Sequence, residues 1–256
     1  MDRFDPNLCV RRAETEPDRL AAARLRYQVF VEELGGDGSL VDHAGRFEQD
    51  RFDPFFDHLL LVDKRRDADA LDHVVGVYRV MQDTQALAAG QFYSEDEYDL
   101  SVLRQSGRRL LELGRSCLHR DYRGGPALFQ LWTGLADYVA EHGIEILFGV
   151  ASFHGTDAAS LAQPLSLLHH QHLAPAELRV RALDAHYQPM DLVDPSRIDR
   201  VAAMRQVPSL IKSYLKLGGF VGDGAFIDWP FNTTDVCLVM DTARLTASAQ
   251  NRFGTG

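Results

Sequence analysis

The 256-residue sequence predicts an α/β domain built on a mixed sheet. Two observations carry this expectation. Apolar, β-rich runs alternate with amphipathic helical segments along the chain. Near the middle, a strand, a proline-opened helix and a second strand follow one another as a crossover unit. The size agrees, because 45% hydrophobic residues in a chain of this length can build a real core. Residues 1–246 are assigned to one domain, and the small, polar stretch Ala247 to Gly256 is read as a disordered tail.

Taken in order, Leu8 to Arg11 forms a first strand. Pro17 then opens a helix that places Leu20, Ala23, Tyr27, Phe30, Val31 and Leu34 on one face, and Gly35-Gly36 stops it. Between Gly35 and Asp53 the chain is charged, glycine-containing and aperiodic, which predicts a long loop lying over a site. The runs His58 to Val62 and His73 to Met81, joined by the charged turn Lys64 to Asp72, read as an antiparallel hairpin. Arg109 to Leu118 is the next strand, a helix runs from Pro126 to about Gly143, and Ile144 to Ala151 is a buried strand. A helix over Asp157 to His172 and strands at Val180 to Leu183 and Asp235 to Met240 complete the pattern. Leu210 to Phe220 is an amphipathic segment that suits either a core helix or contact with a membrane surface.

Charge narrows the function classes. With 27 basic and 37 acidic residues the net charge is -10, which disfavours general attraction to nucleic acid, so an anionic partner must meet a local basic patch. Three scattered cysteines suit neither a disulfide framework nor a four-ligand zinc site and fit a reducing cytoplasm. Met1 to Arg12 lacks a secretory signal, and no run approaches the ~20 apolar residues that span a bilayer. A cytoplasmic protein is expected, with peripheral contact at the inner face of the membrane as a secondary expectation.

The densest chemical signal is the segment from Leu110 to Pro126, which joins a strand, a basic glycine turn and a helix start. Unpaired amides and the positive dipole at such a helix start favour an anion. Six arginines (104, 108, 109, 115, 120 and 123) stand against two acids, Glu112 and Asp121, within it and its approach. A solvated arginine surface with an ordinary glycine turn explains the same residues. Glu112 interrupts the leucines Leu110, Leu111, Leu113 and Leu118. Its carboxylate therefore either reaches a cleft, where it suits a general base, or forms a structural ion pair with Arg115 or Arg79. His169, His170 and His172 point different ways on a helix and lack neighbouring acids at ligand spacing, so no metal site is expected. Cys117 reads as a buried thiol rather than a nucleophile.

This order of elements resembles the thioester-binding strand and pyrophosphate loop of GNAT acyltransferases. The usual loop is Gln/Arg-x-x-Gly-x-Gly/Ala, and here Arg120-Asp-Tyr-Arg123-Gly124-Gly125 keeps the first and last positions but puts an arginine where a glycine is expected. Further matches narrow the resemblance: Arg26-Tyr-Gln-Val-Phe30, Asp53-Pro-Phe-Phe-Asp57-His58, Gly76-Val-Tyr-Arg79, the stretch Gln91 to Leu100 with Phe92 and Glu95, and Glu112-Leu-Gly-Arg115. Together they resemble the branch of ornithine-lipid N-acyltransferases, N-acyl amino acid synthases and acyl-homoserine-lactone synthases. Pro208 to Gly218 and Phe231 to Val236 are similar to the ornithine-lipid acyltransferases in particular.

The resemblance implies a mostly antiparallel, twisted GNAT-like sheet flanked by helices and splayed between its central strands, where Leu110 to Leu118 parts from Ile144 to Ala151. It also implies transfer of a (3-hydroxy)acyl group from acyl carrier protein to the α-amine of an amino acid, ornithine first, giving lyso-ornithine lipid. Glu112 is then the base, and backbone amides at Ser116, Cys117 and Leu118 hold the thioester oxygen. Arg26, Phe30, Asp53, Asp57, Arg79, Phe92, Glu95 and Arg115 bind or shape the substrate site. Arg120, Arg123, Gly124 and Gly125 receive the phosphopantetheine arm, with no permanently bound cofactor and coenzyme A as the less favoured donor. Other acceptors such as glutamine, lactone synthesis, and a catalytically silent carrier-binding module are the alternatives.

Overall fold

The computed structural model describes residues 4–244, so the predicted tail lies outside the described residues. The chain begins with β1 (Leu8–Arg12), α1 (Glu16–Arg26), β2 (Asp57–Asp63), β3 (Val74–Gln82) and α2 (Asp83–Ala89). β4 (Tyr98–Asp99), α3 (Ser101–Arg104), β5 (Leu110–Leu118), α4 (Ala127–His142) and β6 (Ile146–His154) follow. Beyond them come α5 (Ala162–His172), β7 (Arg181–Ala182), β8 (Tyr187–Gln188), α6 (Arg200–Gln206), α7 (Ser209–Lys216), β9 (Phe220–Val221), β10 (Ala225–Asp228) and β11 (Thr233–Asp241). The class is the expected α/β arrangement on a mixed, mostly antiparallel sheet.

The described residues form two compact units, the first built from residues 4–90 and 113–143 and the second from residues 91–112 and 144–244. β5 contributes its first three residues to one unit and the remainder to the other.

In the first unit, β1, β2 and β3 form an antiparallel meander, with Leu8 to Arg12 opposite Asp63 to Leu59 and a register shift at Leu61/Val62. β2 and β3 are buried along nearly their whole length, which explains their unbroken apolar sequence. α1 starts where its sequence directs: Thr15 accepts from the Asp18 amide, Asp18 answers in a capping box, and Pro17 occupies the first turn. Its face Ala21, Ala22, Leu25 packs with Val29, Leu60, Val62, Val74, Val77 and Cys117. Helical backbone continues past Arg26 as a π-helical turn, Tyr27–Glu33, so the predicted helix is present but changes its winding midway.

In the second unit, the start of β5 runs parallel to β6, and β6 is antiparallel to β11 along all nine of its residues. The β5–β6 ladder covers only Leu110–Ile146, Leu111–Leu147 and Glu112–Phe148, while β6 continues to His154. β10 and β8 extend the sheet beyond β11, and β9 also pairs β11. The helix predicted from Asp157 begins only at Ala162, because Asp157 instead turns the chain through bonds to Ala159 and Ser160. The strand predicted over Val180 to Leu183 shrinks to Arg181–Ala182, paired with β4 rather than with the large sheet.

Candidate active site

Two constellations contain most of the predicted residues. The first lies in the first unit and is an arginine–carboxylate network. Arg26, at the end of α1, is 0% exposed. Its Nε donates to Glu48 Oε2, its Nη1 to Asp53 Oδ1 at 2.5 Å, and its Nη2 to the Glu48 carbonyl at 2.8 Å and Asp53 Oδ2 at 2.9 Å. From β3, Arg79 is equally buried, reaches Asp53 Oδ1 at 3.0 Å and Asp50 Oδ2 at 2.7 Å, and sits 4.1 Å from the centroid of the Phe56 ring. Arg115 comes in from β5, with Nε 3.0 Å from Glu48 Oε1 and Nη2 3.4 Å from Asp50 Oδ2. Three guanidinium groups thus share three carboxylates.

Burial alone would push the Asp53 carboxyl up, but Arg26 and Arg79 outweigh it and hold the group well below the usual carboxylate range. Glu48 follows the same balance: burial raises it, yet Arg26, Arg115 and Arg79 bring it down to about 2. His58, whose Nε2 is 3.3 Å from the Asp53 carbonyl, is lowered to about 4 by burial and by Arg26, against the pull of Asp53. It is therefore neutral at pH 7.

Glu48 and Asp50 were missed in the sequence because both sit in the aperiodic stretch before Asp53, where nothing periodic separates them from ordinary loop acids. Their available signal was the spacing Glu48-Gln-Asp50-Arg-Phe-Asp53 in a chain whose arginines need partners. Asp57 does not join the network in the structure; it accepts from Tyr138 Oη of α4 at 2.7 Å, and Tyr138 in turn accepts from Gln82. Phe30 packs, half-buried, beside the α1 core, with its ring centroid 6.0 Å from the Arg115 guanidinium.

β5 is irregular where the predicted oxyanion amides lie. Arg115 has φ +48° inside the strand, a left-handed conformation that costs an L residue about 1–2 kcal/mol. Such a residue re-aims the backbone of the following positions, as a bulge does. Beyond it, Ser116 and Leu118 are half-buried and Cys117 packs into the α1 core, where burial pushes its thiol up to about 12. A thiol so placed is no nucleophile at neutral pH.

The next turn resembles its sequence reading only in part. Gly124 adopts φ +77° and α4 begins at Ala127 behind Pro126. Arg123, however, is occupied: its Nη1 lies 2.8 Å from Glu33 Oε2 and its Nε donates to the Leu118 carbonyl at 3.1 Å. Arg120 is exposed and, among the described residues, has no acid within salt-bridge distance.

The second constellation belongs to the second unit. Glu112 is 1% exposed, and its carboxylate accepts from the Tyr93 amide at 2.8 Å and the Ser94 amide at 2.6 Å. Those amides open a short 3-10 turn, Tyr93–Asp96, whose start is set by Glu95: its carboxylate accepts from the Phe92 amide at 2.7 Å and from Arg104 Nε at 2.8 Å. Burial raises the Glu95 carboxyl, but Arg104 and the Phe92 amide lower it further. Phe92 is fully buried, edge-on to Phe148 at 5.0 Å. Phe92 and Glu95 therefore build the turn that mounts Glu112.

Elsewhere in this unit, the histidines of α5 do not converge: His170 pairs with Asp191 at 2.9 Å and stands edge-on to His169. Asp191 is an acid that the spacing on the helix alone could not reveal. The described residues bring one acidic group together, Glu97, Asp228 and Asp235, with ligand atoms within 4.8 Å of one another. This all-oxygen set would suit a hard cation rather than zinc.

Comparison with known proteins decides the class. The family model for the acetyltransferase (GNAT) domain matches residues 25–133. An L-ornithine N(alpha)-acyltransferase from Rhodobacter capsulatus is 58% identical over 237 residues, 93% of this chain and 91% of the relative. This chain belongs to the L-ornithine N(alpha)-acyltransferase family. A member from Brucella abortus is 41% identical, covering 97% of this chain and 89% of its own length. Among solved structures, an N-acyl amino acid synthase from uncultured soil microbes has a TM-score of 0.53 at 14% identity, over 96% of this chain and 99% of that one. A CoA-dependent acyl-homoserine lactone synthase, BjaI, scores 0.53 at 14% identity, over 97% and 90%. Those two likenesses concern the fold. The chain is an acyltransferase of the GNAT type, as its motifs implied.

Proposed function

We propose that this enzyme acylates the α-amine of ornithine from a thioester on the phosphopantetheine arm of a carrier protein, with residues 1–246 acting as one catalytic module. The observation that carries the acceptor is the 58% identity, over nearly both lengths, to a protein whose name states that reaction. An α-amine is mostly protonated at neutral pH and must lose a proton before it attacks. Glu112 takes that proton, directly or through a water, from a position fixed by the Tyr93 and Ser94 amides. The nitrogen bonds to the acyl carbon, the carbonyl oxygen gathers negative charge opposite the β5 amides from Ser116 to Leu118, the carbon–sulfur bond breaks, and the thiolate leaves taking the second proton of the attacking amine. Arg115, the most exposed of the three network arginines, addresses the acceptor carboxylate, while Arg26 and Arg79 shape its surroundings with Asp53.

The arm pairs with peptide groups of β6 beyond Phe148. A carrier is favoured over coenzyme A because Arg123, tied to Glu33, fills the loop position where a nucleotide-binding loop uses glycine. Arg120 and the Gly124-Gly125 turn meet the arm's phosphate. Such an enzyme works in the cytoplasm, in keeping with its three free cysteines.

The test is an acceptor and donor screen by mass spectrometry, using 3-hydroxyacyl carrier protein or the matching coenzyme A thioester with each amino acid. Amide on ornithine with the carrier donor is expected. A different preferred acceptor, such as glutamine, would reassign the substrate, and faster turnover with coenzyme A would remove the carrier assignment. No amide with any pair would leave only a carrier-binding role.

A further inference from the structure

Most arginines here are consumed by acids, and one stretch departs from that rule. From Arg197 to Lys216 the chain carries five cations (Arg197, Arg200, Arg205, Lys212 and Lys216) against one acid, in a protein of net charge -10. The acid, Asp199, is committed to capping α6, accepting from the Val201 and Ala202 amides. Among the described residues, none of the five cations lies within salt-bridge distance of an acid, whereas Arg11, Arg19, Arg65, Arg66 and Arg108 on other surfaces all do. All but Lys212 are exposed, and Lys212 donates to the Arg205 carbonyl at 3.5 Å, which brings the cations of α6 and α7 to adjoining ground. α7 is amphipathic, with Ile211 and Tyr214 buried and its lysines one turn apart.

We propose that α6 and α7 form a face that docks on an anionic membrane surface. Three features select a lipid surface over an acidic protein. Protein interfaces are depleted in lysine and enriched in aromatic residues, yet this stretch holds two of the chain's three lysines and its one aromatic, Tyr214, is buried. Lysine suits a diffuse layer of phosphate charge, where it acts as a flexible point charge rather than a fixed fork. An apolar side chain stands out among the cations as well, since Val201 is 64% exposed, and cations with apolar neighbours are the composition of helices that lie in the lipid interface. No helix among the described residues is long and apolar enough to cross a membrane, so the contact is peripheral. The face is independent of the acceptor and donor assignments above.

The experiment is vesicle sedimentation of the full chain with phosphatidylcholine alone and with phosphatidylglycerol added. Binding is expected only with the anionic lipid, weakened by salt, and falling about fivefold for each cation removed. The variant combining Arg200→Gln, Arg205→Gln, Lys212→Gln and Lys216→Gln should lose vesicle binding and keep amide formation in vesicle-free buffer. A control with Lys64→Gln and Arg109→Gln, exposed cations outside the face, should bind like the parent. Equal binding to both vesicle types, a four-residue variant that still binds, or a control that loses as much would each overturn the proposal. A four-residue variant that binds vesicles normally but loses affinity for acyl carrier protein would reassign the face to an acidic protein.

Discussion

The Glu48 and Asp53 carboxylates of the first unit and that of Glu112 in the second are secured by different means. In the first, Glu48 and Asp53 are held by guanidinium groups, charge against charge, and the result is a set of anions fixed far from protonation. In the second, Glu112 is mounted on two peptide amides from a turn that Glu95 and Arg104 brace. A guanidinium carries a full countercharge, whereas an amide offers a partial one whose direction the backbone sets. The first device suits a rigid frame for a pocket. The second suits a carboxylate whose oxygens must be aimed at a reacting proton.

The sharpest way to break this contrast is Glu112→Gln. Glutamine keeps the size but turns one acceptor oxygen into a donor facing a donor amide, and it removes the base. Turnover should fall by about 10²–10⁴-fold. Steady-state kinetics across pH, with thermal melts to confirm folding, make the measurement. Near-normal turnover would move the base elsewhere and leave Glu112 as a support for the Tyr93–Asp96 turn.

The parts that could be read in advance were those where local chemistry and tertiary environment agree. The β2–β3 hairpin and the Thr15–Pro17 helix start are of this kind. The elements missed were short: α2, α6 and β10 span seven, seven and four residues, too few to show a period, and tertiary pairing supplies what propensity does not. Site residues divide the same way. Arg26, Asp53 and Arg79 were legible as parts of one site through motif order, and the structure brings them within hydrogen-bond distance. Glu48 and Asp50 were not, because a loop's path is decided by what it covers. Asp57 failed for a different reason. Its pattern neighbour Asp53 lies in the 3-10 turn before β2, while Asp57 begins the strand and reaches Tyr138 instead.

Arg26→Leu tests whether the first constellation is a frame. Removing that guanidinium leaves Glu48 and Asp53 buried with their main counterion gone, a defect that costs about 3–5 kcal/mol. Arg115→Gln, at the more exposed corner of the network, should cost much less and act chiefly on the Michaelis constant for the acceptor. Urea denaturation of both variants beside the parent gives the ranking. If Arg26→Leu were no less stable than Arg115→Gln, the network would be a set of interchangeable surface pairs.

His58 offers the smallest and most local test, because it stands at the edge of the network, with Nε2 3.6 Å from Asp53 Oδ1. Its folded-state value is about 4, against an ordinary 6.5, since burial and Arg26 both oppose its charge. As pH falls below 6.5 the unfolded chain binds a proton that the folded chain refuses. Stability must therefore drop progressively between pH 6.5 and about 4, by an amount on the order of 3 kcal/mol. Glu48 acts later: its contribution is intact above its ordinary 4.5 and fades as pH falls toward about 2. His58→Gln removes the first limb alone. Denaturation midpoints between pH 7 and pH 4.5 should decline less steeply in the variant than in the parent. Parallel declines would mean that His58 gains its proton together with the network rather than being refused it by Arg26.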